Sequence, residues 1–66
     1  MHRASFEKVF EWMKEKGITD RNQARKLIDR IIELGLAEGN DEIGYILTME
    51  GVIEAEKEIY SSVGVV

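Results

Sequence analysis

The feature that most restricts how this 66-residue chain can fold is an apolar repeat between Asp20 and Gly35. Its members recur three or four residues apart, which places them on one side of an α-helix. They are Ala24, Leu27, Ile28, Ile31 and Leu34. Asp20 and Gln23 have the form of a capping box that begins a helix, and Gly35 is a typical residue after its end. We therefore predict a helix over residues 20–34.

Another helix is predicted before it, from Ala4 or Ser5 to Lys16, because an apolar stripe with the same period precedes Gly17. The stripe consists of Phe6, Val9, Phe10 and Met13. Trp12 neighbours this stripe, where it completes either the core or a contact with another subunit. Glycine adopts the left-handed conformation at low cost, so Gly17 is the expected end of the helix.

Two short strands, at residues 36–38 and 43–48, are predicted around a turn at residues 39–42. The turn reads Gly-Asn-Asp-Glu, and its first three residue types favour turn conformations and local hydrogen bonds. The alternation of a strand places three apolar side chains of the second strand on one face, namely Ile43, Tyr45 and Leu47. One face of this hairpin is expected to cover the helices.

Thr48 is positioned to cap a third helix that has an apolar side and an acidic outer side. The apolar side carries Met49, Val52, Ile53 and Tyr60 with Ile59 beside them, and the acidic side carries Glu50, Glu54 and Glu58. A small hairpin does not cover so large an apolar side, and exposed apolar patches mark interfaces. We predict a homodimer interface at Val52, Ile53, Ile59 and Tyr60, and its extension through Val63, Val65 and Val66 stays open.

Length and composition favour one domain, residues 1–66, of the α+β class with the order helix, helix, β-hairpin, helix. A core of this size is marginal, and the chain has no cysteine, so a dimer is the expected source of further stability. No apolar run approaches the roughly 20 residues of a membrane-spanning helix, and the N-terminus lacks the apolar stretch of a signal peptide. We expect a soluble, cytoplasmic protein.

The charges are divided unequally along the chain. Residues 1–30 carry eight basic and five acidic side chains, a balance of +3, whereas residues 31–66 carry one basic and eight acidic side chains, a balance of −7. The overall charge of −4 therefore conceals a basic N-terminal part. Because a phosphate responds mainly to charges within about 10 Å, this basic part is suited to binding nucleic acid.

Residues 27–38, LIDRIIELGLAE, resemble the recognition helix and first wing strand of winged helix–turn–helix regulators. Residues 45–51, YILTMEG, are similar to the second wing strand and the start of the next helix in the MarR- and PadR-like branches. The resemblance implies a small winged helix–turn–helix domain with residues 20–34 as the recognition helix and 39–42 as the wing tip. Such domains usually have two helices before the recognition helix. Only one fits here, so the missing helix could come from another subunit.

The predicted function is that of a small, dimeric, DNA-binding transcriptional regulator that places helix 20–34 in the major groove. Asn and Gln pair with adenine, Arg pairs with guanine, and basic side chains also bind phosphates. The predicted DNA-binding residues are Arg21, Asn22, Gln23, Arg25, Lys26 and Arg30. The same side chains could instead form a solvated, ion-paired face. The alternative is then an acidic winged-helix module that binds a protein partner through its third helix and does not bind DNA.

No catalytic, metal or cofactor site is predicted. His2 is the only histidine and lies at a terminus without a paired nucleophile. The acidic residues Glu38, Asp41 and Glu42 lack the spacing of a calcium-binding loop, and they stand where wing tips commonly carry basic residues. A chain this small does not by itself build a pocket that separates the pKa values of two carboxyl groups. We therefore expect no enzymatic activity.

Overall fold

Within residues 3–62, which the computed structural model describes, the chain forms three helices and an antiparallel hairpin in the predicted order. The elements are α1 (Phe6–Lys16), α2 (Arg21–Glu33), β1 (Ala37–Asn40), β2 (Gly44–Leu47) and α3 (Met49–Ser62). This small α+β arrangement is compatible with a winged helix. No helix among these residues is both long enough and apolar enough to cross a bilayer. The predictions about His2, Val63, Val65 and Val66 lie outside the described residues.

The ends of α1 and α2 follow from local side-chain chemistry. The Ser5 hydroxyl accepts a hydrogen bond from the Lys8 N–H at 3.2 Å, and α1 stops at Gly17, whose φ is +118°. The Asp20 carboxylate accepts from the Asn22 N–H at 2.9 Å and begins α2. Gln23 makes no reciprocal hydrogen bond within the described residues, so only the Asp20 half of the predicted capping box forms.

The core lies where the three helices meet the hairpin. Its fully buried large side chains are Met13, Ile18, Ile28, Ile31 and Ile59. The predicted apolar stripe of α2 is confirmed for Ala24, Leu27, Ile28 and Ile31, all of which are buried. Leu34 was wrongly included, because it is 48% exposed where the chain leaves α2 and turns at Gly35. The buried stripe therefore ends at Ile31.

The hairpin is displaced from its predicted position. Ala37 pairs with Leu47 and Asn40 pairs with Gly44, so the turn occupies residues 41–43 rather than 39–42. The Asn40 side-chain oxygen accepts from the N–H groups of Glu42 at 2.9 Å and Ile43 at 3.0 Å, which fixes the turn after Asn40. Ile43 consequently lies in the turn and is 55% exposed, so its predicted place in the second strand was wrong. Tyr45 is buried.

The segment before α1 extends the pairing of the hairpin by one bridge. Ala4 donates to the Tyr45 carbonyl at 2.9 Å and accepts from the Tyr45 N–H at 2.7 Å, in antiparallel geometry. Gly44 permits this approach, because a Cβ there would lie 2.9 Å from the Cβ of Arg3. The start of α1 is thus tied to the hairpin.

The third helix packs on the core through a face that includes small residues, and most of its predicted apolar side is exposed. The Thr48 hydroxyl accepts from the Gly51 N–H at 3.0 Å, which confirms Thr48 as the cap. A Cβ on Gly51 would lie 2.2 Å from the Leu36 carbonyl oxygen, so the helix backbone lies directly against the chain entering β1. The core face consists of Gly51, Ala55 and Ile59. Glu54 and Glu58, predicted outside, are half-buried.

Candidate nucleic-acid interface

The polar side of α2 faces away from the core, as predicted. Asn22, Gln23 and Lys26 are all exposed, and they lie on or beside the side of the helix opposite Ala24 and Ile31. They occupy the N-terminal half of α2, where the unpaired N–H groups of the first turn give the helix a partial positive charge. Amide and ammonium groups therefore stand together on an accessible surface, which also carries the exposed acid Asp29 one turn from Lys26.

Arg21 begins α2 and contacts α1. Its guanidinium donates two hydrogen bonds to the Glu7 carboxylate, one of them 3.1 Å long, and lies 5.0 Å from the centre of the Phe10 ring. The hydrogen bond from Arg21 holds the pKa of Glu7 below its ordinary value. Because both side chains are more than half exposed, solvent screens this pair. Arg21 thus stays accessible to another anion.

Arg25 has a more enclosed position. Its guanidinium donates to both carboxylate oxygens of Asp41, at 2.7 and 3.1 Å, and to the Tyr45 hydroxyl at 3.0 Å. The Tyr45 hydroxyl in turn donates to Asp41 at 2.6 Å. The face of the Phe6 ring lies 3.9 Å from the Arg25 guanidinium carbon. We call Arg25, Asp41 and Tyr45 the hairpin latch, because together they fasten the turn of the hairpin to α2.

The hairpin latch changes the pKa values of Asp41 and Tyr45. Hydrogen bonds from Arg25 and then Tyr45 lower the pKa of Asp41. Burial raises the pKa of the Tyr45 hydroxyl, and the neighbouring Asp41 carboxylate raises it further. Arg25 was predicted to contact DNA, but in this conformation its donors are directed to groups of its own chain. The acidic turn, for which no partner was predicted, supplies one of them.

Arg30 and Lys26 border a shallow depression of about 170 Å³ between α2 and α3. Arg30 donates to the Glu58 carboxylate on α3, yet 61% of its side-chain surface remains exposed. Lys26 forms no ion pair with any residue in the described range. Lys26 is therefore the member of the predicted set whose charge is most available.

Two further ion pairs join the basic and acidic parts of the chain. Lys16 contacts Glu56 on α3 at 3.1 Å, and Arg3 contacts Glu38 on β1 at 3.7 Å. The hydrogen bond to Glu56 raises the pKa of Lys16. Sequence reasoning missed these contacts because partners 35 or 40 residues apart leave no local pattern in the chain. Helical spacing shows only neighbours three or four residues away.

The four residues of the predicted dimer interface do not all lie on the surface. Val52, Ile53 and Tyr60 are exposed on α3. Ile59 is 0% exposed and belongs to the core, so its inclusion in the interface was wrong. The error follows from the orientation of α3, since Ile59 lies on the same side as Ala55 and Gly51. Sequence periodicity favoured the larger apolar side, whereas the core needs the small residues that allow a close approach.

Within residues 3–62, no three histidine, cysteine or acidic side chains are grouped so that they could hold a metal ion. The polar depression beside the hairpin latch is lined by Arg25, Asn40, Asp41, Glu42 and Tyr45 and is widely open to solvent.

No model of a known protein family matches the chain, and searches of curated proteins and of solved structures found no significant match to it.

Proposed function

We propose that this chain binds double-stranded DNA as a small winged helix–turn–helix transcriptional regulator, with the N-terminal half of α2 in the major groove. The observation that carries the proposal is the exposed group of Asn22, Gln23 and Lys26 in the N-terminal half of α2. An α-helix fits the major groove, and the N-terminal residues of a recognition helix commonly contact the base edges. The four buried apolar residues on the opposite side fix which face of α2 is outward.

Each exposed side chain has a role suited to its chemistry. The amides of Asn22 and Gln23 can donate to N7 and accept from N6 of adenine, so we assign them to base contacts. Lys26 and the exposed guanidinium groups of Arg21 and Arg30 suit phosphates, which a charge can bind without reading sequence. Arg25 is the exception. We assign it to holding the hairpin, since Asp41 and Tyr45 already accept from its guanidinium.

The ion pairs of Arg21 and Arg30 do not block this role. The Arg21–Glu7 pair is exposed and Glu58 is half-buried, but both arginines are more than half exposed. Pairs near the surface contribute only about 0–1 kcal/mol, and salt weakens them. A duplex presents a phosphate charge about every 1.7 Å along its axis, so several phosphates compete with each carboxylate. DNA would therefore replace Glu7 and Glu58 as partners of these arginines, at a cost that lowers the affinity.

The test is the affinity of the full chain for a labelled duplex, measured by fluorescence anisotropy. We expect Lys26→Ala to weaken binding to every duplex and to reduce the slope of log K against log salt by about 0.9, the value for one phosphate contact. Lys57→Ala is the matched control, because Lys57 is an exposed lysine on α3. Equal affinities for the wild-type protein and Lys26→Ala would contradict the proposed face.

Base reading is tested separately with Asn22→Ala. Because an amide that pairs with adenine discriminates between bases, we expect this variant to lose sequence preference while keeping most of its salt dependence. The readout is a binding selection from random duplexes for both proteins. Identical selected sequences would remove Asn22 from the base-reading set.

One observation supports a second candidate, an acidic protein-interaction module that does not bind DNA. Five basic side chains of the N-terminal part are ion-paired to carboxylates, and four of these carboxylates belong to the acidic C-terminal part. The pairs reduce the positive field that would attract a duplex. This candidate predicts no duplex binding at low salt and binding of a basic protein surface to the acidic side of α3.

A further inference from the structure

An apolar groove of about 380 Å³ is formed without any residue of α2. Its walls come from α1, β2 and α3, and its main apolar lining is Val9, Trp12, Ile46, Leu47 and Val52. Trp12 is half-buried here and is the only tryptophan of the chain. The volume accommodates a few side chains and is too small for a whole helix.

An exposed apolar stripe begins at the edge of this groove. Met49 is 81% exposed and Ile53 is 52% exposed, and both lie on the outer side of α3. Val52 belongs to both features, since it lines the groove and is itself partly exposed beside Met49 and Ile53. From Met49 to Ile53 is about one helical turn, or about 6 Å along the axis. Groove and stripe thus form one continuous surface with a hollow half and a projecting half.

We infer that this surface binds a second copy of the chain, with Met49 and Ile53 of each copy inserted into the Trp12 groove of the other. A small ligand would fill the groove and leave the stripe in water. In a dimer with a two-fold axis near Val52, the stripe of each copy instead fills the groove of the other. Groove and stripe of both copies are then covered together, as in an isologous interface. The helix of the second copy then lies across α1 and β2, where residues 3–62 place no helix of their own.

The charges at the edges of the surface support the same partner. Lys8 lines the groove and is exposed, while Glu50, next to Met49 in the sequence, is exposed on the acidic side of α3. Neither has an ion-pair partner among the described side chains. A two-fold arrangement that joins stripe to groove brings the acidic edge of one copy toward the basic edge of the other. This complementarity favours the chain's own α3 over a basic partner.

The inference is independent of DNA binding, because no residue of α2 belongs to the surface. It is tested by sedimentation equilibrium of the full chain over a range of concentrations, together with Trp12 fluorescence. We expect a dimer, and we expect Trp12 emission to move to shorter wavelength as concentration rises, since association removes water from the groove. Met49→Lys and Ile53→Lys should be monomeric at concentrations where the wild-type protein is a dimer.

The control variant is Ile43→Lys, which places the same charge on an exposed apolar residue in the hairpin turn and should leave the dimer intact. Circular dichroism checks that each variant keeps its helices, which we expect because Met49 and Ile53 contribute little to the core of one chain. A wild-type protein that stays monomeric up to about 1 mM would overturn the inference. So would a dimer that persists in Met49→Lys and Ile53→Lys, or one that only Ile43→Lys disrupts.

Discussion

The side chain of Arg25 connects α2 to other parts of the fold. Its stem belongs to the helix that carries the candidate interface, but its guanidinium lies on Phe6 and binds Asp41 and Tyr45. The latch therefore connects α1, α2 and the hairpin through one planar group with several donors. Such a contact holds the hairpin turn against α2.

The hydroxyl of Tyr45 is the buried component of the latch, so its removal should lower stability. We expect Tyr45→Phe to reduce the free energy of unfolding by about 1 kcal/mol, the usual contribution of a hydrogen-bonding group within a folded chain. Urea denaturation followed by circular dichroism measures the change. Tyr60→Phe is the control, because Tyr60 is exposed and its loss of a hydroxyl should change stability by less than about 0.5 kcal/mol. Equal losses in the two variants would contradict the role of the latch.

The latch also predicts an acid dependence of stability. The pKa of Asp41 in the folded chain lies below its ordinary value of 3.8, so its stabilising contribution is complete above that value. The contribution is lost as the pH falls through the lowered pKa, because protonation removes the charge that Arg25 binds. Between about pH 5 and pH 2, Asp41→Asn should therefore lose less stability than the wild-type protein. Denaturant titrations at several pH values give both slopes, and parallel slopes would contradict this assignment.

Single residues were predictable from sequence only where their partners are close along the chain. Ser5, Gly17, Asp20 and Thr48 act on groups within a few residues of themselves, so their capping roles could be inferred. Arg25 and Asp41 are 16 residues apart, and nothing local marks them as partners. The exposed positions of Asn22, Gln23 and Lys26 were predictable because they depend on the period of one helix.

At the scale of elements, α2 is held on two sides. Its apolar face packs into the core, and its polar flanks are tied by Arg25 to the hairpin and by Arg30 to Glu58 of α3. The first contact determines which way α2 faces. The second set of contacts determines how many charges of α2 are left without a carboxylate partner, and one of these contacts comes from α3.

Breaking the tie to α3 should therefore strengthen DNA binding under the proposed function. Glu58→Gln removes the carboxylate that Arg30 binds, and we expect an increase in duplex affinity of up to about fivefold, which matches an exposed pair of up to about 1 kcal/mol. Glu11→Gln is the charge-matched control, since Glu11 is an exposed acid on α1. An increase of the same size in both variants would indicate a general charge effect and would contradict the specific tie.

The helices were predicted more accurately than the hairpin and the orientation of α3. Helical period and caps fix α1 and α2 to within two residues of their ends, because both signals are local. The strands are four residues each, and a shift in the turn at Asn40 moved their pairing. The core face of α3 depends on Gly51 approaching Leu36 closely, a packing requirement that hydrophobicity does not report.

On the scale of the whole molecule, folding brings the basic and acidic parts of the chain together. The ion pairs link α1, α2 and the segment before them to β1, the turn and α3. The balance of +3 in residues 1–30 is consequently spread over a surface that also contains most of its counter-charges. Under the proposed function, a chain with a net charge of −4 would bind DNA through a local face, and the binding should be sensitive to salt.

The salt dependence of duplex affinity tests the central claim most directly. If Arg21, Lys26 and Arg30 each bind one phosphate, log K should fall linearly with log salt with a slope of about −3, at about −0.9 for each phosphate neutralised. The measurement needs only the wild-type chain, a random duplex and a salt series from about 50 to 200 mM. An affinity that does not change with salt, or no binding at the lowest salt, would contradict a DNA-binding role for α2.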